Sequence, residues 1–271
     1  MPELPEVETS RRGIEPHLLN KTINRIEIRQ HKLRWPIPKN LPEIASGKKI
    51  LSVDRRAKYI FLKLDTGNII IHLGMSGSLR ICSNKTPPEK HDHIDIMVNG
   101  NKVLRLRDPR KFGCVLWSAD DINEHKLIRS LGPEPLSDEF DTDYLYRKAH
   151  NRSCSIKALI MNSHIVVGVG NIYASEALFR SGISPRRKAG NISKQRIEKL
   201  VEAIKLTLTL AIEEGGTSLR DFTGVGGQPG YFAQKLLVYG RDGDPCTSCG
   251  KPIKQFVQQA RSTFYCTKCQ R

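Results

Sequence analysis

No stretch of this chain approaches the ~18 consecutive apolar residues of a membrane-spanning helix. Its N-terminus lacks the basic, apolar and small-residue succession of a secretory signal. Internal repeats and low-complexity tracts are also missing. Acidic residues are scarce, with 28 Asp and Glu facing 44 Lys and Arg, a formal charge of +16. That excess points to a polyanion, nucleic acid before membrane surface. Seven cysteines make an odd number, and their placement argues against a secreted disulfide framework. A soluble, cytoplasmic, monomeric protein is the expectation. Cys82, Cys114 and Cys154 stand singly and read as buried thiols.

What is present divides at a Pro/Gly segment, Leu131-Gly132-Pro133-Glu134-Pro135. Before it, Pro5 to about Leu19 reads as a helix ending near Pro16. Short β-type runs follow at Thr22–Ile28, Lys49–Val53, Tyr59–Leu64, Asn68–Leu73, Ser78–Ile81, His93–Val98, Lys102–Leu106 and Val115–Trp117, separated by turns such as Asn99-Gly100-Asn101. This predicts an antiparallel β-sandwich with one packed helix. Beyond the divide, Tyr144–His150 and Ser155–Met161 read as short helices, and Asn171 as the N-cap of a helix to Phe179. A longer helix from Ser193 aligns Ile197, Leu200, Val201, Ile204, Leu208, Ala211 and Ile212, and Gly215-Gly216 stops it. Glycine-rich Thr217–Tyr231 reads as a mobile loop. The class is α+β, with expected boundaries at 1–131 for the sandwich, 132–150 for a linker, 151–240 for a helical domain and 241–271 for a zinc ribbon.

Cys246-x2-Cys249 and Cys266-x2-Cys269 carry the spacing of a tetrahedral four-thiolate zinc site. Four thiolates leave no open position on the metal, so one structural zinc ion is expected. The octapeptide Met1-Pro2-Glu3-Leu4-Pro5-Glu6-Val7-Glu8 has a chemical and a structural reading. If Met1 is removed, Pro2 presents a secondary amine beside the Glu3 carboxylate. A free α-amino group titrates near ~8 against ~10.4 for lysine, so more of it is nucleophilic at neutral pH. Attack on an aldehyde-level carbon gives an iminium, an electron sink needing no further proton. The structural reading is a helix start, with Pro5 and the acidic residues in a turn that favours both.

Four other segments are less specific. Gly168-Val169-Gly170-Asn171 opens a helix, but Tyr173 occupies the place of the third glycine of a dinucleotide fingerprint, which excludes that cofactor reading. It suits a phosphate approach or a plain interhelical turn. Arg55-Arg56-Ala57-Lys58 is a basic cluster or a solvated face. His91-Asp92-His93 with Asp95 suits a phosphate contact or a strand-edge pair better than a metal. Asp108-Pro109-Arg110-Lys111-Phe112-Gly113 places an aromatic between cations, a wedge for a base step or a core residue.

Together with Arg55–Tyr59, His72-Leu73-Gly74-Met75-Ser76-Gly77, Gly168–Tyr173 and Arg261–Cys266, the chain resembles the formamidopyrimidine-DNA glycosylases, bacterial enzymes that remove oxidised purines from DNA. The resemblance covers essentially the whole chain; Lys111 departs from the usual arginine and loses its fork. It implies a β-sandwich, a helix–two-turn–helix unit and the zinc ribbon, with double-stranded DNA carrying oxidised bases or abasic sites held in the cleft between. It also implies roles: Pro2 as Schiff-base nucleophile, Glu3 as proton donor to the departing base, Lys58 in β-elimination and Arg261 in δ-elimination. His91, Arg110 and Arg152 match DNA contacts, and Lys157 and Asn171 match phosphate contacts. Met75, Arg110 and Phe112 match the trio that fills the hole left by a flipped nucleotide, and Thr217–Tyr231 matches the loop over the extruded base. Two alternatives remain: the same fold acting on oxidised pyrimidines, as in the endonuclease VIII group, and a non-enzymatic zinc-ribbon DNA-binding protein.

Overall fold

The computed structural model describes residues 2–217 and 232–271. The chain forms two compact units: one runs to Arg129 and takes back the segment from Glu214, and the other holds Ser130–Glu213 and the chain from Phe232 onward. Among the described residues no helix is long and apolar enough to cross a membrane.

In the first unit, helix α1 (Leu4–Leu18) starts at the octapeptide. Pro5 sits in the first turn, where a missing N–H costs nothing, and Glu6 caps back onto the Glu3 N–H at 2.7 Å. Pro16 lies inside the last turn rather than ending the helix. Eight strands follow: β1 (Ile23–Ile28), β2 (Ser52–Arg56), β3 (Tyr59–Leu64), β4 (Gly67–His72), β5 (Ser78–Ser83), β6 (Asp92–Val98), β7 (Lys102–Arg107) and β8 (Cys114–Ser118). They pair antiparallel in two four-stranded sheets, ordered β1-β6-β7-β5 and β2-β3-β4-β8. Alternate residues such as Ile60, Leu62, Ile69, Ile71, Ile94, Ile96, Leu104 and Leu106 share one core with Val7, Ile14 and Leu18 of α1. This is the expected sandwich with its helix.

Two local readings differ. Residues 49–51 precede β2: Lys49 makes only an isolated bridge to Thr22, and the ladder with β3 begins at Ser52. A five-residue helix, Leu41–Ala45 (α2), is too short for its periodicity to show.

The β1-β6-β7-β5 sheet carries a buried ion network. Arg105 donates to both Asp95 oxygens at 2.8 Å and to the Thr86 and Pro87 carbonyls, while Arg80 grips Asp92 and Arg29 reaches Asp95 at 2.6 Å. The Glu89 N–H also donates to Asp92. The segment 86–92, which carries His91, is thus fastened to β6 and β7. Burial alone would raise the Asp95 carboxyl, but its arginine partners outweigh that and hold it below the usual range.

The second unit is helical: α3 (Thr142–Ala149), α4 (Ile156–Ile160), α5 (Asn171–Arg180) and α6 (Lys194–Glu213). Ser155 caps α4, accepting from the Ala158 N–H. The face of α6 anticipated from periodicity supplies Ile197, Leu200, Val201, Ile204, Leu208 and Ala211 to the core. A hairpin of β9 (Lys254–Gln258) and β10 (Arg261–Tyr265) turns through Gln259 and Ala260, both with positive φ, as two-residue hairpins prefer. Of the single cysteines only Cys114 is buried; Cys82 is half-buried and Cys154 exposed.

Asp95→Ala would take from Arg105 and Arg29 their nearest counter-charge, leaving Asp92 at 3.7 Å from the first and Glu27 at 3.5 Å from the second. We expect a loss of about 3–5 kcal/mol of stability in denaturant unfolding, as for broken buried ion pairs.

Candidate functional site

The N-terminal residues sit at the positive end of α1. Pro2 and Glu3 are buried, and Glu6 is equally so. Glu6 is a junction: one carboxylate oxygen takes the Glu3 N–H and the other takes the Thr217 N–H at 2.8 Å. Gly216, with φ +83°, passes so close to Glu6 that an added Cβ would lie 3.0 Å from its oxygen. The loop expected over Thr217–Tyr231 otherwise lies outside the described residues.

Two residues further along α1, Glu8 accepts from Arg11, Arg12 and Arg55. Burial works against its charge, yet these three donors keep its carboxyl below the ordinary value. Arg55 also donates to the Ala57 carbonyl at 2.8 Å. Ala57 has φ +54°, so this bond braces an unfavourable turn whose next residue is Lys58. The basic cluster is therefore not simply a solvated face: one arginine serves the helix that carries Pro2 and the turn that carries Lys58.

His72, the last residue of β4, was not singled out from sequence. It pairs with Tyr59 across the sheet, and burial, then the charges of Lys58 and Arg34, lower its pKa to about 4. The neutral ring accepts the Gly74 N–H on Nδ1 at 2.9 Å, which leaves the proton on Nε2. The signal available was its place in the His72–Gly77 motif beside a predicted strand end.

Met75, Arg110 and Phe112 come from two adjoining loops. Phe112 is 44% exposed, which rules out the core reading, and the Arg110 guanidinium lies 5.0 Å from its ring centre. Met75, Phe112, Lys111, His72, Leu33 and Arg34 line a recess of about 580 Å³. A Cβ on Gly74 would collide with the backbone of Phe112 and Gly113, so the motif glycines are what allow the loops to touch. Lys111 has φ +56° and donates to Gln30 at 3.1 Å. His91, with φ +76°, ends the neighbouring segment. Asp92 and Asp95 are engaged by arginines, consistent with the preference for a non-metal reading of this histidine pair.

In the second unit, Asn171 is the first residue of α5 and Gly170 its N-cap, so the expected capping role is corrected. The Asn171 side chain points elsewhere: Oδ1 accepts from Lys157 Nζ at 2.6 Å and Nδ2 donates to the Ser262 carbonyl at 2.9 Å. Lys157, 2% exposed, also donates to Thr263 Oγ1 at 2.7 Å. These contacts fasten α4 and α5 to β10, at whose start Arg261 is exposed. Arg152 is exposed after Asn151, and its carbonyl accepts from Gly190. Fully buried Glu176 on α5 accepts three consecutive N–H groups, those of Leu237, Val238 and Tyr239; burial raises its pKa despite those bonds.

The four cysteine sulfurs all lie within 4.8 Å of one another, with Cys246–Cys269 at 3.9 Å and Cys249–Cys266 at 3.5 Å. A tetrahedron with Zn–S of about 2.3 Å separates its sulfurs by roughly 3.8 Å. The donor set and its spacing fit one structural zinc ion.

Comparison with known proteins agrees across the chain. Residues 1–115 match the formamidopyrimidine-DNA glycosylase N-terminal domain, 131–223 the H2TH domain of the same enzymes, and 243–271 a zinc finger found in FPG and IleRS. The formamidopyrimidine-DNA glycosylases of Marinobacter nauticus and Stutzerimonas stutzeri are 55% and 54% identical to it, each over 271 residues covering 100% of both chains. The crystal structure of the MutM (FPG) protein from Thermus thermophilus has a TM-score of 0.89 at 36% identity, covering 99% of this chain and 98% of that one. A Lactococcus lactis FPG mutant in complex with Fapy-dG containing DNA has a TM-score of 0.93 at 32% identity, covering 100% of each chain. The fold, the cysteine cluster and these full-length similarities establish that the chain belongs to the formamidopyrimidine-DNA glycosylase family.

Proposed function

We propose that this protein is a bifunctional DNA glycosylase and abasic-site lyase of base excision repair, acting on oxidised purines in duplex DNA. The observation that carries the mechanism is the placement of Pro2 and Glu3 at the N-terminus of α1. The positive end of the helix dipole disfavours a protonated imino nitrogen and so favours the nucleophilic form once Met1 is gone. The same field supports a nearby carboxylate. Support for the substrate comes from the Lactococcus lactis enzyme, solved with Fapy-dG containing DNA and with abasic-site DNA.

In this mechanism the target nucleotide rotates out of the stack, at a cost of roughly a few kcal/mol. Half-buried Met75 enters the gap with exposed Arg110 and Phe112, whose mutual stacking suits them to replace lost base contacts. Glu3 donates a proton to the leaving base while Pro2 attacks the sugar C1′. The resulting iminium acidifies C2′, and Lys58, next to the neutral His72, serves the first elimination. Arg261 on the ribbon serves the second, which leaves a one-nucleotide gap with phosphate ends. His91, Arg152 and Asn171 hold DNA. Lys157 acts through Asn171 and Thr263, because its own ammonium is buried. Zinc fixes the ribbon and takes no part in bond breaking. Its thiolate ligands require a reducing compartment, which supports a cytoplasmic location.

Borohydride should trap a covalent adduct between the processed protein and damaged duplex. Pro2→Gly, or protein retaining Met1, should trap far less; equal trapping by all three would remove Pro2 from the mechanism. Lys157→Met should weaken binding to abasic duplex on the order of 10-fold, the scale of lost charge-assisted hydrogen bonds, with zinc content unchanged in metal analysis. The depressed pKa of His72 means that the unfolded chain takes up its proton near pH ~6.5 whereas the folded chain resists until about 4. Its contribution to stability is complete above ~6.5 and declines as pH falls through that window. The melting temperature of His72→Gln should therefore decline less than that of the parent between those pH values.

A further inference from the structure

Met75, Arg110 and Phe112 lie on two loops and His91 on a third segment, and side-chain chemistry alone does not keep three segments in register. Asp108 lies where they meet. It is fully buried, and each of its polar groups serves a different neighbour. One carboxylate oxygen accepts the Ser76 hydroxyl at 3.0 Å, and the other accepts the Gly113 N–H at 2.8 Å. Its own N–H donates to the His91 carbonyl at 3.0 Å, and its carbonyl accepts from His93 Nε2 at 2.9 Å. Ser76 completes the bridge, because its oxygen also accepts the Arg110 N–H at 3.2 Å.

We propose that Asp108, through Ser76, is the positioning group that locks the Met75 loop, the His91 segment and the Arg110–Phe112 turn into one preformed wedge, which enters duplex DNA as a unit. This rests on reading Met75, Arg110 and Phe112 as the groups that enter the stack. The carboxylate is fully buried and committed to donors from separate segments, which suits it to a geometric role rather than to proton transfer. Its donors are a hydroxyl and a backbone N–H, so the bonds fix direction as well as distance. Glycines allow the same loops to run backbone against backbone, with Gly74 facing Phe112 and Gly113, and Gly113 facing the His72 carbonyl. A wedge assembled during folding does not pay the conformational entropy of ordering three segments at encounter. His91 is held in the same frame, which links its contact to the depth of the wedge.

The test uses full-length, zinc-loaded protein and a duplex carrying a tetrahydrofuran abasic analogue with 2-aminopurine beside the orphaned base. Fluorescence at saturating protein reports how far the neighbouring stack is opened, and the titration reports affinity. Ser76→Ala should lower the plateau and weaken binding by about 3–10-fold, the scale of one lost buried hydrogen bond. Ser76→Thr, which keeps the hydroxyl, should recover both. Asp108→Asn, which sets an amide against a donor, should lower the plateau further; should it not fold, the Ser76 pair decides the matter. A merely stabilising role would reduce melting temperature yet leave the plateau at the parent value. That result for Ser76→Ala, with Phe112→Ala losing the signal, overturns the proposal while the wedge reading stands. If Phe112→Ala itself reaches the parent plateau, the wedge reading fails and the proposal with it.

Discussion

Buried carboxylates that collect hydrogen-bond donors from separate segments hold the functional loops of this protein. A chain with a net charge of +16 repels itself, and its basic residues are wanted at the surface to meet a polyanion. Several of its few acids are used inside. Glu6 joins the start of α1 to Thr217, Asp108 joins the loops of Ser76 and Gly113, and Glu176 gathers the segment that leads to the ribbon. Each meets mainly neutral donors, so binding a phosphate elsewhere does not compete for them. The arginines that are buried, such as Arg105, are matched by Asp92 and Asp95. The division of labour follows from dielectric: an internal charge must be saturated, whereas a surface charge can wait for its partner.

The sandwich and long helix were legible because their signals are local. Alternation in β3, β4, β6 and β7 and the 3.6-residue period of α6 each report one buried face. The cysteine spacing was equally plain, because a zinc knuckle is built within a few residues. Long-range placement was less accessible. Asn171 looks like a helix cap in sequence, and only the fold brings Lys157 and Ser262 to its side chain. Lys157 looks like a surface cation, yet two acceptors compensate its burial. Ser76 stands inside a sequence motif, but its contact with Asp108 spans 32 residues of chain. The residues proposed to bear the chemistry stand out in the sequence pattern; those that orient them do not.

The zinc ribbon and the helices are joined through one buried basic residue, Lys157, which donates to Asn171 and Thr263. Asn171 lies at a helix N-terminus, where the dipole favours an anion. Its side chain is nevertheless committed to Lys157 and the ribbon backbone. The start of α5 is therefore held against β10, and Cys266, which follows that strand directly, belongs to the four-cysteine cluster. On the proposed reading, binding by this unit would depend on metal-held geometry as well as on charge.

Ala57, His91 and Lys111 all carry positive φ without being glycine. Each lies in a turn of the proposed working surface, and each conformation is one that a side chain with a Cβ resists. Glycine would relax these turns, but it would also let them wander. The enzyme thus holds tension in its own backbone at three corners of its proposed working surface.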